Sequence, residues 1–106
     1  MGAYEFNLLI GWLCWLNHNG HSKEKELTLD VVMNLFEEYR QLYPFGSHCK
    51  WREKVWTFSG FLAEKNFFDG EPTVGEMRQW LPAFADSDDW PFNKTDAKTI
   101  RAKVVG

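Results

Sequence analysis

The first eighteen positions hold a denser apolar pattern than any later segment. Phe6, Leu8, Leu9, Ile10, Trp12, Leu13, Trp15 and Leu16 cover most of a helical circumference rather than one stripe. A helix apolar nearly all round belongs in the middle of a domain, covered on every side. The pattern therefore predicts a central helix over about 4–18, stopped by Asn17, Asn19 and Gly20. Later segments are amphipathic. In a second helix over 28–43, Leu29, Val32, Phe36, Tyr39 and Tyr43 recur at helical spacing, with Thr28 as N-cap and Asp30 at the positive end of the dipole.

A third helix is predicted over 48–68, capped by Ser47, with Trp51, Val55, Phe58 and Leu62 at i, i+4, i+7 and i+11. Thr57-Phe58-Ser59-Gly60 is weak helix sequence, which leaves a short strand over 54–61 as the alternative. Thr73 and Glu76 form a capping box after Pro72 and open a fourth helix over 73–84, buried through Val74, Met77, Trp80, Leu81 and Phe84 and bent or ended by Pro82. A loop follows over 85–93. The last helix is placed over 94–105, with Asn93 or Thr95 as cap. Five helical patterns with short links define an all-α single domain of about five helices arranged around the first.

Composition adds to this picture at one point. The chain of 106 residues is 44% apolar and 25% charged, ordinary for a globular domain, but 17% aromatic, with six Trp and nine Phe. That is more aromatic surface than a small core needs. The net charge of −3 excludes a chain that coats nucleic acid through bulk charge. The longest apolar run, Leu8 to Leu16, is too short to cross a bilayer, and the first residues lack the features of a signal peptide. A cytoplasmic location with reduced thiols is expected, and no membrane partner.

Chemical constellations are sparse. Asn7, Gly11, Cys14 and His18 form a second stripe on the first helix. Cys14 and His18, joined by His21, His48 or Cys49, are weak metal candidates. Zinc takes such ligands, but no CxxC or HxxxH pair is present. The structural explanation is that Gly11 and Cys14 are small so that another element can approach closely. Cys14 with His18 could also make a thiolate–imidazole pair, and a helix N-terminus near Cys49 would favour its thiolate. No orienting third group completes either arrangement. No carboxylate stands where burial is expected to raise its pKa, and Glu5 is the only carboxylate or cation of the first helix. Gly-rich phosphate motifs are absent. The expectation is a protein that is no enzyme and carries no cofactor.

Two surface readings compete for function. Trp56 lies off the apolar stripe of the third helix beside Arg52, Ser59, Gly60 and Ala63, a side of small residues around one large aromatic. In the 85–93 loop, Trp90 and Phe92 flank Pro91 beside Asp86, Asp88 and Asp89. Aromatics with a polar rim are typical protein-interface anchors, although Trp90 and Phe92 could equally fold back into the core. Arg52, Trp56, Asp88, Asp89, Trp90 and Phe92 are thus the expected partner-binding residues. The expected function is non-catalytic binding to another protein, as adaptor, regulator or inhibitor. A phage or mobile-element protein that blocks a host enzyme would have this form.

The alternative is a nucleic-acid-binding regulator. Lys94, Lys98 and Arg101 line one face of the last helix, and 94–106 carries four basic groups against one acidic. The order of the last two helices suits a helix-turn-helix. The long link from Leu81 to Lys94 and its three Asp oppose it. A metal-stabilised domain is the third reading.

Overall fold

A computed structural model describes residues 3–23, 27–43 and 50–94. Among these the chain is all-α. Helix α1 spans Ala3–His18, α2 Leu29–Leu42, α3 Trp51–Glu64 and α4 Val74–Asp86, and α5 is a single turn, Pro91–Lys94. Residues 54–61 are helical, so the strand alternative fails. No helix among the described residues is long and apolar enough to cross a membrane.

The helix ends follow local chemistry. Thr28 caps α2 by accepting from the Val31 amide at 3.2 Å. The capping box of α4 is complete: the Glu76 amide donates to Thr73 Oγ1 at 3.1 Å, and the Thr73 amide donates to Glu76 Oε1 at 3.0 Å. Two helices end in the same left-handed turn. After α1, Gly20 takes φ 72°, the Gly20 amide donates to Asn17 O, and the His21 amide donates to Leu16 O at 2.9 Å. After α3, Asn66 takes φ 66°, and the Phe67 amide donates to Leu62 O at 2.9 Å. This pair of bonds satisfies carbonyls that a helix end would leave open.

Four boundaries differ from expectation. The third helix starts at Trp51 with Lys50 as N-cap, not at 48 behind Ser47. The third helix stops at Glu64 rather than 68. Phe67 and Phe68 are buried, but as a turn folded back on the core, and their apolar character alone extended the helical pattern. The fourth helix runs through Pro82 to Asp86. An interior proline costs about 3 kcal/mol through its missing N–H and a ring clash. Arg78, whose carbonyl loses its bond, and Pro82 are both exposed, so water can serve that carbonyl. Phe84 beyond the proline is fully buried, a gain of about 2–3 kcal/mol. The fifth helix starts at Pro91, not 94. A proline suits a first helical turn, where its missing N–H removes no bond. The expected continuation to 105 lies outside the described residues.

The core forms around α1. Every residue from Leu8 to Leu16 is buried, and Trp12, Leu8 and Leu16 expose nothing to solvent. Helices α2, α3 and α5 pack against α1, and α4 reaches it through Phe84, whose ring meets Trp12 edge-on at 5.2 Å. Trp51, expected in the core, is half-buried and packs between Phe84 and Trp90.

The weak helix formers of α3 have tertiary partners. Trp12 Nε1 donates to Ser59 Oγ at 3.1 Å, and Ser59 Oγ donates back to Val55 O at 2.9 Å. Ser59 thereby gives the indole of a fully buried Trp its acceptor. Tyr39 OH donates to Lys54 O at 2.9 Å, fastening α2 to α3. Removing one partner of a buried bond leaves the other unsatisfied. Ser59→Ala is expected to lower stability by about 1–3 kcal/mol, more than its small loss of volume implies, as read from urea denaturation midpoints. A midpoint within error of the native protein would show that the Trp12 indole is satisfied elsewhere.

Candidate interaction surface

The polar stripe of α1 is the seat of the segment that follows α4. A Cβ on Gly11 would come within 2.6 Å of the Asp89 carbonyl oxygen and 3.2 Å of Pro91 Cδ. The backbone of the 87–91 turn therefore rests directly on α1, and only glycine permits it. Above and below this contact, Cys14 is buried and His18 Nδ1 lies 2.9 Å from Asp89 Oδ2. Asn7 continues the stripe; its Oδ1 is buried without a hydrogen-bond partner among the described residues. Within the turn, Ser87 Oγ donates to Phe84 O at 2.7 Å and accepts from the Asp89 amide at 3.2 Å.

The expected site residues of this segment lie in different environments. Asp89 is only 6% exposed and is held by His18, so it forms no polar rim. Trp90 is half-buried, edge-on to Trp51 at 4.9 Å and to Phe84 at 5.1 Å. Asp88 is exposed. Phe92 keeps 38% of its surface exposed and stacks on Tyr4 at 4.4 Å, a partner that the spacing of α1 did not single out. The link between α4 and α5 is four residues, Ser87 to Trp90, rather than the long loop expected. The objection of length to a helix-turn-helix thus falls away. The basic face cannot be placed: the side chain of Lys94 and all of Lys98 and Arg101 lie outside the described residues.

The metal candidates among the described residues do not converge. His18 faces Asp89, while His21 stacks on Trp80 at 4.3 Å and Cys14 lies in the core. Among the described residues, no group of three or more His, Cys, Asp or Glu could hold a metal ion. Cys49 and His48 lie outside those residues.

Glu5 departs from expectation. Burial pushes its carboxyl above the usual value, against the pull of Lys54 and Arg40. It thus favours the folded chain while protonated, and that contribution is lost as pH rises through its folded pKa. Lys54 is buried beside it, with its ammonium 5.4 Å from the Tyr4 ring. The sequence offered a signal here: a lone carboxylate at the start of an apolar helix has little water to keep.

Trp56 differs from Trp90. It is 37% exposed and makes no ring contact with another aromatic of the described residues. On one side it borders a shallow depression with Arg52, Glu53 and Thr57. On the other it borders a groove of about 400 Å³ that includes Tyr43, Gly60, Ala63, Glu64 and Glu71. Arg52 leans away, its guanidinium 5.4 Å from the Trp51 ring. Ser59, grouped with this side by spacing, turns inward to Trp12. Compared with protein-family models, with curated proteins and with solved structures, the chain matches none.

The stripe of α1 makes a quantitative demand. Gly11→Ala places a methyl against backbone oxygen, which cannot rotate aside, and the 87–91 turn must lift from α1. A loss of about 1–3 kcal/mol is expected despite the better helix propensity of alanine. Thermal denaturation of the variant checks this, and an unchanged or raised melting temperature would refute the close approach.

Proposed function

We propose that this chain is a small binding domain, without catalysis of its own, that engages another protein through the Trp56 face of α3. It would serve as adaptor, regulator or inhibitor of that larger protein. The observation that carries this reading is the position of Trp56: an exposed indole on a regular helix, in ring contact with no other aromatic among the described residues, between two depressions. A rigid helix presents such an anchor with little entropy left to lose, and exposed aromatics of this kind dominate binding energy when a partner buries them. Trp90 is the internal contrast. Its contacts with Trp51 and Phe84 give it a packing role, which accounts for one tryptophan that composition alone leaves unassigned.

Two variants separate these roles. Trp56→Ala should leave the melting temperature nearly unchanged and weaken partner binding by about 2 kcal/mol or more. Trp90→Ala should lower stability by roughly 2–4 kcal/mol, since it empties a partly buried aromatic cluster. Melting curves followed by affinity capture from the native cell, with mass spectrometry, measure both. Capture of the same partner by folded Trp56→Ala as by the native chain would place the interface elsewhere.

A further inference from the structure

The groove on the Gly60 side of Trp56 has a chemistry of its own. Tyr43 and Trp56 line it together with the small residues Gly60 and Ala63, and its charged residues among those described are Glu64 and Glu71. Among the described residues, no basic one lines it. The nearest cation in sequence, Lys65, is committed to Glu38 at 2.6 Å. Neither Glu64 nor Glu71 forms an ion pair among the described residues, and both are exposed. Glu71 comes from the turn before α4, yet its Oε1 would lie 3.4 Å from a Cβ at position 60. Its carboxylate thus reaches the backbone of α3, and the missing side chain of Gly60 gives it room. Ala63, one turn beyond Gly60, keeps the same side low.

We infer that this groove takes an arginine side chain from the partner protein. Resting on the proposed function, the inference adds the chemistry of the segment that is bound. Two carboxylates with no ion pair among the described residues, in one groove with Tyr43 and Trp56, complement a cation in charge and in aromatic contact. Arginine fits better than lysine. Its planar guanidinium stacks on an indole while its forked N–H groups donate to a carboxylate, two contacts that an ammonium cannot make together. An apolar residue would instead cover Glu64 and Glu71 without answering their charge.

The test uses the whole chain, isotopically labelled, and three blocked pentapeptides with arginine, citrulline or leucine at the centre of glycines. NMR titration follows the Trp56 indole N–H and the Gly60 amide. The arginine peptide should shift both signals saturably. Citrulline, which keeps the shape and loses the charge, should bind about tenfold more weakly or worse. The Glu64→Gln/Glu71→Gln double variant, altered only at exposed sites, should show the same loss for arginine. Equal shifts by citrulline, or stronger shifts by leucine that ignore the double substitution, would overturn the inference. The Trp56 face would then remain a contact surface of apolar preference. Absence of any shift at Trp56 and Gly60 would also overturn it, and capture with Trp56→Ala would still decide the proposed function separately.

Discussion

A helix apolar nearly all round has to be covered from almost every direction, and the rest of this chain is arranged by that requirement. Leu8 to Leu16 are nine consecutive buried residues. No single neighbouring helix can cover such a rod, since one contact shields only part of a circumference. Phe36 of α2 meets Phe6 edge-on at 5.0 Å, Ser59 of α3 meets the Trp12 indole, and Phe84 of α4 closes on the same ring. The aromatic content follows from this geometry. Large rings fill the wedges between helices that cross a central one, and edge-to-face pairs do so without leaving voids.

The remaining flank of α1 is covered by backbone rather than by side chains. Gly11 is the one buried position of the rod without a side chain, and the 87–91 turn settles into the gap. Asp89 then reaches His18 one end along, and Phe92 reaches Tyr4 at the other. The turn is therefore a lid held at three points, and Trp90 is carried into the cluster with Trp51 and Phe84 as a consequence. What looks in sequence like a loop displaying aromatics is a cover for the first helix.

Much of the fold was legible in the sequence because it depends on local signals. The all-round apolar pattern of α1, the Thr28 cap and the Thr73–Glu76 box act within a few residues, and each stands where spacing put it. The misreadings share another cause: they depend on contacts distant in sequence. Pro82 stays helical because Phe84 beyond it is buried against Trp12. Phe67 and Phe68 leave the helix and turn inward, where Phe67 O accepts from the Lys23 amide at 2.8 Å and Phe68 stacks on Trp80 at 6.2 Å. Asp89 is buried because His18, seventy-one positions earlier, faces it. The groove at Trp56 was half legible. Gly60 and Ala63 share its helix, whereas Tyr43 and Glu71 arrive from other elements and no spacing within α3 announces them.

If α1 is the element that all others cover, its amides can exchange with solvent only when the whole domain opens. Native-state hydrogen exchange read residue by residue measures this directly. The amides of Leu9 to Leu16 are expected to share one opening free energy, equal to that of global unfolding, with the first turns of α2 and α4 opening more easily. Exchange of the α1 amides through an opening cheaper than global unfolding, while α3 stays protected, would contradict the central place given to this helix.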